Sequence, residues 1–566
     1  MKRSQLIVVL AAIAAVVVIA AGGRGENKKS GAAVRSSPTA PAGSVEVTVA
    51  SSPEKLKLVE KLAKEFNASG ARVGGRPVFV AVSSKNSGEE KDAIAQAARG
   101  RGGDRPVVWS PASTLWANHL EYDTDLDLVP DEAPSIVRSP LVLAMWEPLA
   151  RALGWPRKPI GFGDVLRLAQ DPRGWAAYGH PEYGSFKLVH TNPAISTSGL
   201  EAVTAAYFAA TGKTKGLTVE DVRRPAVERQ IAAIEQSIVH YGPNTLLIEE
   251  QLRKHGPSYA SAVAMEETTL LGFNRDRDGQ PKLVAIYPSE GSFDSDSPYL
   301  ILQAPWVDAA EREGAVAFQR YIASHMTPEL AAKYGFRPAD RGTAPLSPID
   351  ARHGADPRQP KRVLAAPEPR VLGAIQESWV KNRKAANIQL VVDVSGSMNE
   401  ESKLKHAKEG LQGFLRELSP RDRVGLIVFS DDARLVLGIQ PVSQVRDRLA
   451  TSVRRLLAVG RTALYDATAK GVAELADLHD PQRINAVVLL SDGVNTAGDT
   501  NFSELVPQLT RHTDAEANAI RVFPIAYGED ADLEVLKTIA ERSDGEAYAG
   551  NTENIESVYR GISSFF

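Results

Sequence analysis

The sequence predicts an α/β protein with two consecutive domains, preceded by one N-terminal transmembrane helix. Strand-like and helix-like patterns alternate through residues 45–345 and again through 386–566. Such alternation is typical of parallel sheets with helices on both faces. The second stretch has about six strands, which suits one open, doubly wound, Rossmann-like sheet. At 566 residues, the chain is also too long for a single hydrophobic core.

Composition excludes several classes of function. The chain has 66 basic and 69 acidic residues, a net charge of -3, so no overall charge favours nucleic acid as a partner. It has no cysteine, which excludes disulfides, thiolate metal sites, cysteine nucleophiles and a lipid-modified cysteine.

The N-terminus predicts export. Lys2 and Arg3 precede an uncharged apolar run from residue 6 to residue 23. A run of about 18 apolar residues is at the lower limit for a membrane-spanning helix, and the basic start places the rest of the chain outside the cytoplasm. A cleaved signal peptide is the alternative, since small residues end the run. We expect a single-pass protein of the cell membrane, or a secreted protein if the segment is cleaved.

The remaining boundaries follow from composition. Residues 24–44 are rich in Gly, Ser and Pro and predict a flexible stalk after the anchor or signal segment of residues 1–23. Residues 45–345 form the first α/β domain. Residues 346–385 predict a linker with a short helix, and 386–566 form the second domain.

Polar side chains follow two predicted strands of the second domain. Asp393 ends the first strand, Asp492 follows a later one, and Thr462 lies just before a helix between them. Ligands of doubly wound sheets bind outside the carboxyl ends of the strands, where the strand order reverses. If the two strands are neighbours there, the loops converge.

Alternate residues after the first strand carry further oxygen donors, Ser395 and Ser397. In an extended segment alternate side chains point the same way, so Asp393 and Ser395 can face one ion, with Ser397 at the start of the next helix. Two carboxylates and three hydroxyls favour Mg²⁺, with Mn²⁺ or Ca²⁺ possible. The alternative is that each hydroxyl merely caps a helix.

The motifs of this domain, D-x-S-x-S, the Thr of "GRTALYDA" and the distal "SDG", resemble the metal-ion-dependent adhesion site of von Willebrand factor type A domains. The resemblance implies that hydroxyls bind the ion directly, that carboxylates often act through water, and that a partner protein supplies an acidic side chain. It implies a binding protein, not an enzyme. The sequence contains no nucleophile with an adjacent base and no hydrolase, P-loop or zinc-protease motif, which agrees with this expectation.

The first domain resembles the bilobal solute-binding proteins of bacterial uptake systems, through strings such as "VASSPEKLKLVEKLAKEF" and "HTNPAISTSGLEAVTAAYFAATG". The resemblance implies two lobes with a ligand between them. We expect the chain to cross between lobes near residues 139–146 and 283–291, and "GFRP" at 335–338 to complete the first lobe.

Hydroxyl groups precede several predicted helices of this domain. Helix N-termini offer free amide donors, so we expect a small anion in the cleft, although Glu266 and Glu267 count against one and simple helix capping is an alternative. The candidate ligand-binding residues are Ser51, Ser52, Ser110, Ser196, Thr197 and Ser198.

We therefore expect a membrane-tethered extracytoplasmic binding protein that captures a protein partner through the metal and senses a small solute. The alternative is the substrate-binding component of an ABC-type uptake system for a small anion. A scaffold with a vestigial cleft is a third reading.

Overall fold

The computed structural model describes residues 40–511 and 519–566. The predicted transmembrane segment and nearly all of the predicted stalk lie outside the described residues. Within those residues, no helix has the length and apolar character needed to cross a membrane.

The strands are β1 Val45–Ser51, β2 Arg72–Val73, β3 Arg76–Ser84, β4 Val108–Ser110, β5 Ser139–Trp146, β6 Leu188–Thr191, β7 Ile238–Gly242, β8 Ala262–Glu266, β9 Leu283–Ile286, β10 Asp294–Ser295, β11 Leu300–Ile301, β12 Ala386–Asp393, β13 Arg423–Phe429, β14 Ala433–Pro441, β15 Ile484–Ser491, β16 Ile520–Tyr527 and β17 Tyr548–Gly550.

The helices are α1 Leu56–Ala68, α2 Ser87–Ala98, α3 Leu115–Thr124, α4 Glu147–Ala152, α5 Phe162–Gln170, α6 Thr197–Thr211, α7 Val219–Val222, α8 Pro225–Gln236, α9 Thr245–His255, α10 Glu267–Arg275, α11 Ala309–His325, α12 Pro328–Lys333, α13 Pro369–Asn382, α14 Lys403–Glu417, α15 Val442–Arg454, α16 Leu464–Ala476, α17 Phe502–Thr510, α18 Leu533–Arg542 and α19 Ile555–Ser563.

The first lobe is a sheet in the order β11-β4-β1-β3-β2. β1 pairs in parallel with β3 and β4, and only the antiparallel β11 returns from later in the chain. The apolar face of α1 packs on this sheet, with Leu58, Val59 and Leu62 fully buried. The lobe thus has a core of its own.

The second lobe is a sheet in the order β10-β5-β8-β6-β7, with β9 paired to the other edge of β5. The first crossing between lobes leads directly into β5, as expected. The second crossing is later than expected, because β9 still belongs to the second lobe and the chain returns between β10 and β11. Phe336 of "GFRP" packs in the core of the first lobe.

The C-terminal domain is a sheet in the order β14-β13-β12-β15-β16-β17. β12 pairs in parallel with β13 on one side and β15 on the other, so the strand order reverses at β12 and β15. All eight residues of β12 are buried, because helices cover both faces of the sheet. β14 is an antiparallel edge strand paired with β13, and the sequence did not indicate it as a strand.

Helix α13 joins the two halves of the chain and is not a loose linker. One face of α13, including Leu372, Ile375 and Trp379, is buried in an apolar cluster shared by the second lobe and the C-terminal domain. The Trp379 Nε1 atom donates a hydrogen bond of 3.1 Å to Glu235, which also accepts 2.6 Å from the Tyr241 hydroxyl. This shared core fixes the C-terminal domain against the second lobe.

Candidate metal centre and solute cleft

The predicted metal residues lie at the carboxyl ends of the central strands of the C-terminal sheet. Asp393 is the last residue of β12, and Asp492 directly follows β15. β12 and β15 are paired in parallel, so both carboxylates leave the sheet at the same edge and at the point where the strand order reverses. Both residues are completely buried.

Asp393 is held by its own loop. One carboxylate oxygen accepts 2.8 Å from the backbone nitrogen of Ser395, and the other accepts 2.8 Å from the hydroxyl of Ser491. Burial raises the pKa of Asp393 to about 6, assisted by the negative charge of Asp492. The free energy cost of this buried charge falls when a cation lies nearby.

The two serines and the second carboxylate form a connected set. The hydroxyl oxygens of Ser395 and Ser397 are 3.0 Å apart, and the Ser397 hydroxyl donates 2.8 Å to Asp492 Oδ1. Oxygens bound about 2.1 Å from one Mg²⁺ at right angles lie about 3 Å apart. The observed spacing is that of the hydrogen bonds between these groups, and it is also compatible with neighbouring ligands of one small cation.

Thr462 reaches the same edge from a third loop. Its side chain lies beside Gly493, since a Cβ atom added to that glycine would be 3.7 Å from the Thr462 hydroxyl. The loop is tied to the others by two backbone bonds, from Gly396 to Gly460 at 2.9 Å and from Thr496 to Thr462 at 2.8 Å. All five predicted residues are thus brought to one place.

The helix-cap alternative does not account for these hydroxyls. Ser395 precedes a short 3-10 stretch, Gly396–Ser402, but its side chain makes no capping hydrogen bond. Thr462 is not the cap of α16, where Ala463 holds that position.

The ammonium group of Lys403, which the sequence motifs did not identify, also lies at this site. The Lys403 Nζ atom lies 3.0 Å from Asp492 Oδ2, and the lysine side chain is only 6% exposed. Lys403 is the first residue of α14, and the tight turn before it, with Glu401 and Ser402 at positive φ, directs it back over the site. No sequence motif indicates Lys403, because a reversal of the backbone brings it close to Asp492.

The donor set suits a hard cation such as Mg²⁺. In the residues that the structure describes, no three His, Cys, Asp or Glu side chains form a metal cluster. The site instead combines two carboxylates with three hydroxyls, which Mg²⁺ tolerates because it keeps several waters. The five oxygen-bearing residues fit this ion and would hold it.

The solute cleft contains some of the predicted hydroxyl groups. Ser52, Ser196 and Thr197 line a narrow cleft between the lobes, with an accessible volume of about 10 Å³, enough for about one water molecule. Neither Ser52 nor Ser196 makes a side-chain capping bond at its helix. The hydroxyls of Ser52 and Thr197 still have partners in the cleft walls, since Ser52 donates to Glu54 and Thr197 accepts 2.8 Å from the Trp116 Nε1 atom.

Other predicted hydroxyls are buried against internal partners. Ser51 donates 3.2 Å to the Ser52 carbonyl, Ser110 donates 2.7 Å to the Pro298 carbonyl, and the hydroxyls of Ser198 and Thr191 are 2.9 Å apart. None of the three predicted serines lines the cleft. They support its walls.

Further polar residues line the cleft, and only Glu266 among them was considered from the sequence. The additional polar residues lining the cleft are Glu54, Asn86, Ser87, Asn244, Thr245 and Glu266. Burial, together with the charge of Glu54, raises the pKa of Glu266 to about 7. Burial lowers the pKa of the neighbouring Lys55 to about 8. Two acidic residues, Glu54 and Glu266, thus line the cleft, and this lining does not favour a small anion.

Family models match both halves of the chain. A model of the bacterial extracellular solute-binding proteins matches residues 47–337, just over half of the chain. A model of the von Willebrand factor type A domain matches residues 387–560.

Individual relatives agree with this division. An uncharacterised protein of Mycobacterium tuberculosis (strain H37Rv) is 24% identical over 541 residues, covering 90% of this chain and 74% of the relative. The inter-alpha-trypsin inhibitor heavy chain H4 of Homo sapiens is 31% identical over 170 residues, covering 28% of this chain and 18% of its own length.

Among solved structures, a periplasmic thiamin binding protein aligns with 61% of this chain and 98% of its own, at 10% identity and a TM-score of 0.42. A von Willebrand factor type A protein from Catenulispora acidiphila aligns with 32% of this chain and 42% of its own, at 21% identity and a TM-score of 0.29. By the family match over more than half of its length, this chain belongs to the bacterial extracellular solute-binding proteins, and it carries a von Willebrand factor type A domain at its C-terminal end.

Proposed function

We propose that this protein is an extracytoplasmic binding protein, tethered to the cell membrane by its N-terminal segment, that captures a protein partner through a divalent cation. The cation is held by Asp393, Ser395, Ser397, Thr462 and Asp492, and Mg²⁺ fits their oxygens best. Its role is binding and not catalysis.

One observation carries this proposal. The Ser397 hydroxyl lies 3.0 Å from the Ser395 hydroxyl and 2.8 Å from Asp492 Oδ1, at the point where the strand order reverses. Three separate loops supply oxygen atoms to this place. Side chains that only capped helices or stabilised turns would not need to lie together.

Each residue has a distinct task in the proposed site. Ser395, Ser397 and Thr462 offer neutral oxygens, which leave the charge of a bound cation largely uncompensated. Asp393 and Asp492 supply the balancing charge and orient the serines through their hydrogen bonds. A bound Mg²⁺ supplies an electrophilic centre that accepts a carboxylate from a partner.

The metal proposal is tested by calorimetric melting of the full chain with EDTA and with Mg²⁺. We expect Mg²⁺ to raise the melting temperature of the wild type and not of Asp393→Asn. Asp477→Asn, at an exposed position at the end of α16, is the matched control and should respond as the wild type does. A wild-type protein that ignores Mg²⁺, Mn²⁺ and Ca²⁺ contradicts the proposal.

The tether is tested by fractionation. Full-length protein should sediment with membranes, and a chain beginning at residue 40 should not. An N-terminus of the mature protein that begins after residue 20 would instead establish cleavage and secretion.

A second proposed function is solute binding between the lobes, either for sensing or as the substrate-binding component of an ABC-type uptake system. It is supported by the polar cleft where Ser52 of the first lobe faces Ser196 and Thr197 of the second. A guest with a positively charged group, paired with Glu54 and Glu266, would suit this lining better than a simple anion.

A ligand panel separates these alternatives. Oxyanions, sugars, amino acids and polyamines are screened for an increase in the melting temperature of the full chain. A hit should be lost in Thr245→Val, which removes a hydroxyl lining the cleft, and kept in Thr510→Val, which lies on α17 of the C-terminal domain. No hit from any class would favour a scaffold with a vestigial cleft.

A further inference from the structure

The most exposed large apolar side chains in the described part of the chain lie beside the proposed metal centre. Leu457 is 77% exposed and Val459 is 64% exposed, more than any other large apolar side chain described. Val494, 48% exposed, lies two residues after Asp492. We call Leu457, Val459 and Val494 the apolar collar.

Backbone hydrogen bonds fix the collar next to the oxygen donors. The nitrogen of Val459 donates 2.8 Å to the carbonyl of Val394, which lies between Asp393 and Ser395. The Asn399 side chain donates 3.0 Å to the carbonyl of Ala458, between the two collar residues. The loop is therefore held in one position relative to the serines.

The folding of this domain does not need these apolar side chains. Leu456 and Ala458 are each 8% exposed, so alternate residues of the loop point inward and complete the core. The outward positions, Leu457 and Val459, contribute little to that core, and polar residues would serve equally well there. Apolar residues grouped around a candidate site indicate an interaction surface.

The charges around the collar select the kind of partner. Arg461 and Asp431 are paired with each other at 2.8 Å, so neither offers a free charge. Glu400 and Glu401 are exposed on the turn that follows Ser397. A strongly acidic partner would be repelled by these glutamates, whereas a single carboxylate flanked by apolar residues would not.

We propose that the apolar collar docks a loop of a partner protein in which one Glu or Asp, directed at the metal, lies between two large apolar residues. This proposal rests on the proposed metal function and adds the specificity of the same site. The carboxylate is attracted to the cation held by Ser395 and Ser397, and the flanking side chains cover Leu457, Val459 and Val494.

The test uses full-length protein with saturating Mg²⁺ and three cyclic peptides, titrated by calorimetry or NMR. Their variable segments are Leu-Glu-Leu, Ser-Glu-Ser and Leu-Gln-Leu in an otherwise all-glycine ring. We expect the first peptide to bind at least tenfold more tightly than either of the others. The double variant Leu457→Ser/Val459→Ser should lose this preference while keeping the Mg²⁺-induced rise in melting temperature.

The control is Leu435→Ser, an apolar residue 39% exposed on edge strand β14, which should bind all three peptides as the wild type does. The collar proposal is overturned if Leu-Glu-Leu and Ser-Glu-Ser bind with equal affinity, or if no peptide binds at millimolar concentration. The proposed metal site is still supported in that case if Mg²⁺ stabilises the protein. A wild type without any Mg²⁺ response overturns both proposals.

Discussion

Lys403 provides a test of how the metal site is balanced electrostatically. Its ammonium group lies 3.0 Å from Asp492 Oδ2, with the lysine side chain 6% exposed and the aspartate fully buried. The substitution Lys403→Met keeps the length of the side chain and removes the charge. Asp492 then keeps its hydrogen bond from Ser397 but loses its nearest cation.

The expected loss is large because the pair is buried. Breaking such a pair by removing one partner costs about 3–5 kcal/mol, since the remaining charge is uncompensated. The remaining Ser397 bond reduces the penalty, so we expect about 3 kcal/mol. One kcal/mol shifts the melting temperature of a domain of this size by about 2–4 °C, which predicts a decrease of about 6–12 °C without metal.

Mg²⁺ should reverse part of this loss. A cation held by the serines replaces the missing positive charge beside Asp492, so the stabilisation by Mg²⁺ should be greater in Lys403→Met than in the wild type. Scanning calorimetry of the full chain is the appropriate assay, because none of the seven tryptophans lies within residues 386–566.

Lys405→Met is the matched control, since Lys405 lies on the same helix with an exposed side chain. It should melt as the wild type does with and without Mg²⁺. The electrostatic reasoning is refuted if Lys403→Met melts within 2 °C of the wild type in EDTA, which is below the smallest predicted shift of about 6 °C, or if its response to Mg²⁺ is no greater than that of the wild type.

Three other predictions concern the rest of the chain. Burial opposes the charged form of His190, but the nearby Glu235 carboxylate outweighs it and raises the pKa of His190. The stability that the pair contributes is therefore present below about pH 6.5, the pKa of an unfolded histidine, and is lost as the pH rises through the higher pKa of the folded protein. The denaturant midpoints at pH 6 and pH 9 should therefore differ less in His190→Gln than in the wild type. Trp379→Phe removes one donor to Glu235 and should cost about 2 kcal/mol in chemical denaturation, and an unchanged midpoint would argue against this contact. Gly199→Ala would place a Cβ atom 2.1 Å from a carbonyl of β6 and should cost about 1–3 kcal/mol, whereas Gly561→Ala, with open space around it, should be neutral or stabilising.

Much of the C-terminal domain was predictable because its signals are local. The fully buried β12 and β15 end in apolar runs, residues 390–392 and 486–490, and abrupt changes to polar residues follow at Asp393 and at Ser491 and Asp492. Edge strand β14 was missed, since only one of its nine residues is buried and its pattern is weak. Partial burial removes the contrast on which such a prediction depends.

The solute cleft was less predictable for a physical reason. Hydroxyls before helices are easily found, but whether they face the cleft depends on small rotations of the backbone. Ser52 and Ser196 face it, whereas Ser51 and Ser110 turn inward to carbonyl groups. Glu54 follows Ser52 closely but gave no signal, because an acidic residue in a first helical turn is common.

The sequence by itself predicted the two α/β regions and the five oxygen-bearing residues of the proposed metal site, because strand ends and alternate spacing are encoded in short stretches of chain. Only the tertiary structure placed Lys403 against Asp492, joined the C-terminal domain to the second lobe through Trp379 and Glu235, and bonded the loop of Val459 to the end of β12 at Val394. These contacts join residues whose proximity is decided by how helices and loops pack, and packing leaves no periodic pattern in the sequence.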